Sequence, residues 1–161
     1  MIVVLMGVSG SGKTTIGAML ATALKWRFYE GDSLHSAANR QKMIRGIPLT
    51  DADRLPWLRR VRRLIERCVT NKVDAIIACS ALKQSYRELI VSDPTQVRVV
   101  YLRGSPKLIK SRLARRKGHF MPSGLLPSQF EALQEPRNAI TINVSDAPAR
   151  IVSAIRKRLS I

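Results

Sequence analysis

The sequence predicts an α/β fold in which a parallel sheet of five strands is flanked by helices in three layers. Five short apolar segments alternate along the chain with longer segments of helical periodicity, the pattern of a doubly wound parallel sheet. A phosphate-binding motif directly follows the first apolar segment. The 161 residues suffice for one domain with a sizeable core, so residues 1–161 are expected to form a single unit.

The predicted strands are short and rich in β-branched residues, as buried parallel strands are. They cover residues 2–6, 26–29, 75–79, 97–102 and 139–144. Between them, apolar side chains at spacings of three and four predict helices. The helices cover about 13–24, 33–45, 54–70, 82–90 and 106–117, and a last one begins at 146 or 147. Ser33 is expected to cap the second helix, residues 51–53 to form a turn, and the Gly- and Pro-rich residues 118–128 to form a loop.

The composition is strongly basic. Lys and Arg number 28 against 11 Asp and Glu, which gives a formal net charge of +17 and predicts anionic partners. No apolar run approaches the ~20 residues that span a bilayer, and the N-terminus lacks the basic region of a signal peptide. The two cysteines, Cys68 and Cys79, are expected to be reduced and buried. These features predict a cytoplasmic protein without a membrane partner.

Residues 7–14 read Gly-Val-Ser-Gly-Ser-Gly-Lys-Thr, the G-x-x-x-x-G-K-[ST] phosphate loop. Its glycines permit the backbone angles that turn successive N–H groups towards a polyphosphate. The lysine reaches the β- and γ-phosphates, the threonine hydroxyl ligates Mg²⁺, and the following helix directs its positive end at the same anion. The motif therefore predicts a site for a nucleoside triphosphate. The expected ligands are Gly7, Ser9, Gly10, Ser11, Gly12, Lys13, Thr14 and Thr15.

Polar residues follow the first three predicted strands. Because ligands of such sheets bind at the carboxyl ends of the strands, the phosphate loop, the segment of Glu30 and Asp32, and Ser80 should meet in one crevice. Asp32 is positioned to accept a proton from a substrate hydroxyl, and Glu30 to hold Mg²⁺ through water. In the alternative interpretation, Asp32 only caps a helix beside Ser33.

A second functional candidate is a lid over about residues 112–128. Eight cations and no acid lie between residues 98 and 118. Arg112 and Arg116 are four residues apart, on one helical face that leads into the Gly- and Pro-rich loop, so they could close over ATP and neutralise charge during phosphoryl transfer. The alternative is a solvated basic face. No GTPase-type N-K-x-D motif occurs, and a small kinase fits the chain better than an energy-transducing NTPase.

Several further blocks make the chain resemble the gluconokinase family, among the small P-loop kinases that include shikimate kinase. The blocks, beyond the phosphate loop, are Glu30-Gly-Asp-Ser-Leu-His35 with Asn39 and Lys42-Met43; Gly46-Ile-Pro-Leu49 with Asp51, Asp53-Arg54 and Pro56-Trp57-Leu58; Cys79-Ser-Ala-Leu-Lys83 with Tyr86-Arg87; and Arg116-Lys-Gly-His-Phe-Met121 followed by Leu125-Leu126, Ser128-Gln129 and Glu135-Pro136. The resemblance extends to about Pro136.

The resemblance implies ATP-dependent phosphorylation of D-gluconate at its terminal hydroxyl, which yields 6-phosphogluconate. It makes Asp32 the carboxylate at the acceptor hydroxyl and Arg54 the partner of the substrate carboxylate, a pairing that a planar guanidinium suits. Lys13, Asp32 and Arg116 are the expected catalytic residues, and the family suggests a homodimer. Further substrate contacts are expected from His35, Ser80, Lys83, Arg87 and His119.

Two alternatives stay open at this stage. One is a kinase for another small polyol acid or a shikimate-like acceptor. The other is a basic nucleic-acid-binding module that has kept a phosphate loop, but only the charge favours it. Aromatic residues are 5% of the chain, and no stacking motif or recognition helix is present, so a nucleic-acid partner is not expected.

Overall fold

The computed structural model describes residues 1–115 and 123–161 and confirms the five-stranded parallel sheet. The strands are Ile2–Met6 (β1), Arg27–Glu30 (β2), Ala75–Ala78 (β3), Val97–Arg103 (β4) and Ile140–Asn143 (β5). Their order is β2-β3-β1-β4-β5, and every neighbouring pair is parallel. The connection that leaves β1 runs towards β2 at one edge of the sheet, and the connection that leaves its neighbour β4 runs towards β5 at the other edge. This places the segment after β1 at the topological switch point where ligands bind.

Seven helices accompany the strands in the described part of the chain. They are Lys13–Leu24 (α1), Ala37–Ile44 (α2), Asp51–Thr70 (α3), Gln84–Ile90 (α4), Pro106–Arg115 (α5), Leu126–Ala132 (α6) and Pro148–Leu159 (α7). Short 3₁₀ turns occupy Gly31–Leu34 and Ser123–Leu125. None of the helices described is both long and apolar enough to cross a membrane.

The sheet separates two apolar cores, which makes the fold three layers deep. On β1, Ile2, Val4 and Met6 face one core together with side chains of α3 and α4. Val3 and Leu5 face the other core, with side chains of α1, α5 and α7. Since successive side chains of a strand point to opposite faces, an uninterrupted apolar strand serves both cores, as the sequence predicted. Cys68 and Cys79 are buried and free.

The start of α2 differs from its sequence prediction. Ser33 lies in a 3₁₀ turn, where its Oγ donates to the Glu30 carbonyl at 2.7 Å. Ser36 caps α2 instead, since its hydroxyl accepts from the Asn39 N–H at 3.1 Å. Two serines three residues apart are both acceptable caps locally, and the tight turn after β2 decides between them.

The start of α3 also differs, because the predicted turn at residues 51–53 is the first turn of the helix. Thr50 and Asp53 form a reciprocal capping box, with distances of 3.1 Å from the Asp53 N–H to the Thr50 hydroxyl and 2.9 Å from the Thr50 N–H to the Asp53 carboxylate. The acidic residues suit the positive end of the helix. Pro56, near that end, does not stop the helix.

The prediction of a loop over residues 118–128 is wrong for residues 123–128, which form a 3₁₀ turn and the start of α6. Leu125 and Leu126 are buried there, and Pro127 stands in the first turn of the helix, where its missing N–H costs nothing. Gly and Pro therefore mark the start of a helix in this segment. Residues 116–122 lie outside the described part.

Candidate active site

A crevice of about 480 Å³ opens at the carboxyl ends of β1, β2 and β3. The phosphate loop forms one side, and residues from the β2–α2 turn and α3 form the other. Arg112 and Arg115 of α5 and Gln129 of α6 also line it. The convergence of the three strand ends that the sequence predicted is therefore present in the fold.

The phosphate loop depends on glycines with left-handed backbone angles. Gly7, Gly10 and Gly12 have φ of 147°, 82° and 93°. A Cβ on Gly7 would come within 2.7 Å of the Ser11 Oγ and 2.8 Å of the Leu102 carbonyl, so no larger residue fits. The Ser11 N–H closes the loop on the Val8 carbonyl at 3.2 Å, and its side chain is buried. Ser11 therefore shapes the loop from a buried position in the crevice wall.

Lys13 lies over the loop that precedes it. Its Nζ donates to the carbonyls of Gly7 and Val8 at 2.9 Å and 3.0 Å. The ammonium group therefore sits at the mouth of the loop, on the crevice wall. A cation held there is positioned for the phosphates of a nucleotide.

Thr14 and Glu30 join the phosphate loop to the end of β2. The Thr14 Oγ1 donates to the Glu30 Oε2 at 2.6 Å. A hydroxyl and a carboxylate are hard oxygen donors of the kind that Mg²⁺ prefers alongside water and phosphate oxygens. The pair thus fits the metal-binding role that the sequence predicted for both residues.

The opposite side of the crevice contains Asp32, His35, Arg54 and Trp57. The rings of His35 and Trp57 stack with centroids 4.2 Å apart and planes 15° apart. The indole N–H donates to the Gly31 carbonyl at 2.8 Å, which fixes the ring that supports His35. One Arg54 nitrogen donates to the Leu49 carbonyl. Together they form a rigid surface with a cation, an imidazole and a carboxylate facing the phosphate loop.

His35 is held in its neutral form. The pKa of His35 is lowered from 6.5 to about 4, mainly by burial and in smaller part by Arg54, Arg40 and Arg60, while Asp32 opposes the shift. The His35 Nδ1 lies 3.5 Å from the Asn39 Nδ2. The imidazole therefore serves as a neutral hydrogen-bonding group at physiological pH.

This shift predicts a loss of stability in acid. As pH falls through 6.5 the unfolded chain protonates His35 while the folded chain does not, so the free energy of unfolding should fall by about 3 kcal/mol between pH 7 and about pH 4. Urea unfolding at each pH measures the loss. His35→Phe keeps an aromatic ring against Trp57 but removes the titrating group. A wild-type curve no steeper than that of His35→Phe would contradict the prediction.

A separate polar cluster links α3 to α4. The Lys83 Nζ donates to both carboxylate oxygens of Asp51 at 2.8 Å, and the Tyr86 hydroxyl donates to the same carboxylate. These contacts hold the pKa of Asp51 below its usual range and raise that of Lys83. Lys83 therefore forms an ion pair with Asp51, and it is not among the residues that line the crevice.

Comparison with known proteins assigns the family. The shikimate kinase family model matches residues 9–157. A probable gluconokinase of Mus musculus is 42% identical, with 98% of this chain and 97% of that protein covered. The gluconokinase of Gluconobacter oxydans is 50% identical over 83% of this chain and 75% of its own. The chain belongs to the shikimate kinase family, and within it to the gluconokinases.

A solved structure of a gluconokinase from Sinorhizobium meliloti supports the assignment. It is 42% identical, covers 98% of this chain and 90% of its own, and superposes with a TM-score of 0.86. The fold expected from the sequence, a P-loop kinase with a five-stranded parallel sheet, is thus confirmed.

The fold of this gluconokinase family member brings most of the sequence-predicted site residues together. The crevice is lined by Ser9, Gly10, Ser11, Gly12, Lys13, Thr14, Thr15, Asp32, His35, Arg54, Ser80 and Arg112. Gly7 and Glu30 are not among the lining residues, but Gly7 accepts a hydrogen bond from Lys13 and Glu30 accepts one from Thr14. Arg87 is buried beneath the β3–α4 connection. Arg116 and His119 lie outside the described residues.

Among the crevice residues that were not predicted from the sequence are Trp57, Arg115 and Gln129. The Gln129 Oε1 accepts from the Ser9 N–H at 2.6 Å, across 120 residues of sequence. Trp57 and Gln129 both stand in blocks that carry the family resemblance, which was the available signal. Arg115 precedes Arg116 directly, and nothing local separates it from its basic neighbours.

Proposed function

We propose that this protein transfers the γ-phosphoryl group of ATP to the terminal hydroxyl of D-gluconate, yielding 6-phosphogluconate. The observation that carries the proposal is the pairing, across one crevice, of a phosphate loop with Asp32 and Arg54. A nucleotide bound at the phosphate loop and a hydroxy acid bound at Arg54 would meet at Asp32. A relative that is 50% identical is named gluconokinase and one that is 42% identical is named probable gluconokinase, which supports gluconate as the acceptor.

Recognition of the acceptor requires a cation for its carboxylate and polar groups for its hydroxyls. Arg54 supplies the cation, because a guanidinium pairs with a carboxylate through two parallel hydrogen bonds. Ser80 and neutral His35 offer hydroxyl and imidazole groups to the polyol chain. We also assign His119 to the substrate, as the family resemblance implies. Lys83 acts indirectly, because it binds Asp51 at the start of α3.

Phosphoryl transfer then proceeds in line. The terminal hydroxyl oxygen of gluconate forms a bond to the γ-phosphorus, the bond from that phosphorus to the bridging oxygen of ADP breaks, and Asp32 takes the hydroxyl proton. Lys13, Arg112 and Arg116 neutralise the negative charge on the transferring group. We expect the segment of about residues 112–128 to close over the nucleotide and exclude water.

Thr14 and Glu30 would hold Mg²⁺, the Thr14 hydroxyl directly and the Glu30 carboxylate through water. Bound there, the ion would draw negative charge from the β- and γ-phosphate oxygens. The Thr14–Glu30 hydrogen bond keeps both oxygens on the same side of the phosphate loop before the ion arrives.

A turnover screen tests the proposed function. ATP-dependent ADP release should be faster with gluconate than with shikimate, glycerate or nucleoside monophosphates, with kcat/KM higher by about a hundredfold or more. Phosphorus NMR of the product should show a phosphomonoester on the terminal carbon. ADP release with gluconate no faster than in buffer would refute the proposal. Faster release with another acid would indicate a kinase for a different polyol acid or shikimate-like acceptor.

A further inference from the structure

The connection between β3 and α4 is strained at the point where it faces the crevice. Ser80 lines the crevice, and the next residue, Ala81, has a φ of 41°. This φ lies in the left-handed region, which residues other than glycine rarely adopt. Ala81 is also fully buried. Such strain persists only where the surroundings hold the backbone in place, and it concentrates at functional sites.

Hydrogen bonds from several elements hold this segment. The Nη1 of Arg87, on α4, donates to the carbonyls of Ala81 and Leu82 at 3.0 Å and 2.9 Å. The Gln134 N–H donates to the Leu82 carbonyl at 2.9 Å. On the nucleotide side, the Gly7 N–H donates to the Ser80 carbonyl at 3.3 Å. All three carbonyls of residues 80–82 are therefore engaged, and Arg87 holds the two that follow the strained Ala81 N–Cα bond.

The contacts with these carbonyls account for a charged side chain at position 87. Arg87 is buried, with 9% of its surface exposed. No carboxylate within residues 1–115 and 123–161 forms an ion pair with it. A buried cation is costly unless it is hydrogen-bonded, and here the Arg87 Nη1 donates to two backbone carbonyls. Arg87 is not among the residues that line the crevice.

We propose that Arg87 is a positioning residue that holds residues 80–82 in the strained conformation that presents Ser80 to the acceptor. This role replaces the direct substrate contact that the sequence suggested. It rests on the proposed function for the identity of the acceptor, but the geometry of the clamp does not depend on which acceptor is used.

The first test separates acceptor binding from nucleotide binding. Arg87→Met should raise the KM for gluconate by about tenfold or more, because a hydrogen bond from a charged donor is lost at two carbonyls. The KM for ATP should change by less than about twofold, since the phosphate loop keeps its own contacts. Arg87→Lys, which retains a charged donor, should recover part of the loss. Arg63→Met removes an exposed arginine of α3 and should leave both values unchanged.

A double-mutant cycle with Ser80→Ala provides the decisive readout. If Arg87 acts through Ser80, the Arg87→Met effect on gluconate KM should shrink to less than about threefold in the Ser80→Ala background. Adding Ala81→Gly to Arg87→Met should restore part of the affinity, because glycine adopts the left-handed angle without strain. Equal effects of Arg87→Met in both backgrounds, without rescue by glycine, would indicate a direct ligand and overturn the proposal.

Further outcomes separate the positioning role of Arg87 from a merely structural role and from the proposed function. Equal rises in both KM values, together with a fall in melting temperature, would show a merely structural role and also overturn the proposal. If Arg87→Met does not fold, the same cycle is run with Arg87→Lys. If the acceptor screen selects a compound other than gluconate, the proposed function fails, and the cycle is measured with that compound instead.

Discussion

Replacing Asp32 with Asn should lower kcat by about a hundredfold to ten-thousandfold, the range expected for loss of a general base. The amide is similar in size to the carboxylate but does not accept the proton of the attacking hydroxyl. Asp32 lies on the crevice wall opposite the phosphate loop, whose glycines and lysine are the expected ATP ligands. The dissociation constant of ATP should therefore stay within about twofold of the wild-type value.

Steady-state kinetics and nucleotide titration by calorimetry measure the two quantities separately. Ser33→Ala is the matched control, since Ser33 is exposed, its hydroxyl donates to the Glu30 carbonyl, and it is absent from the crevice lining. This control should retain wild-type kcat. A near-normal rate for Asp32→Asn would show that Asp32 is not the base and would favour its alternative role as a residue of the turn after β2.

Replacing Lys13 with Met should impair both nucleotide binding and transfer. The ammonium group is held at the mouth of the phosphate loop by the Gly7 and Val8 carbonyls. Loss of a charged donor should raise the dissociation constant of ATP by about tenfold or more. Loss of charge stabilisation during transfer should lower kcat by about a hundredfold to a thousandfold. This pattern differs from that of Asp32→Asn, which spares binding.

The same two measurements apply, with melting temperature as a check on folding, because the two carbonyls lose their partner. Lys110→Met removes an exposed lysine of α5 outside the crevice and should leave both quantities unchanged. Wild-type ATP affinity in Lys13→Met would mean that the lysine acts only in transfer. Wild-type kcat would remove Lys13 from the mechanism.

The phosphate loop and the strands were predictable because their signals are local. The spacing of Gly7, Gly12, Lys13 and Thr14 is a property of eight consecutive residues, and buried parallel strands are apolar throughout. The alternation of strands and helices then places three strand ends at one edge of the sheet. Asp32 and Ser80 follow two of these strands, so their place in the crevice was predictable from the sequence.

Element boundaries were less predictable, because competing local signals are nearly equal in energy. Ser33 and Ser36 are both suitable caps, and the structure uses the second. Residues 123–128 contain Gly and Pro, yet their two leucines pack inward and a helix begins there. Burial, which depends on the rest of the fold, outweighed the local composition.

The sequence by itself determined the fold class, the nucleotide site and the family, since these depend on short motifs and on periodicity. Only the tertiary structure decided which basic residues face the crevice. Arg54 lines it, Lys83 is paired with Asp51, and Arg87 is buried under the strained bond of Ala81. The three residues are of similar chemistry, and what separates them is their position relative to a sheet ordered β2-β3-β1-β4-β5. Strands that are neighbours in this sheet are often far apart in the chain. The contacts between their residues therefore cannot be deduced from spacing along the sequence.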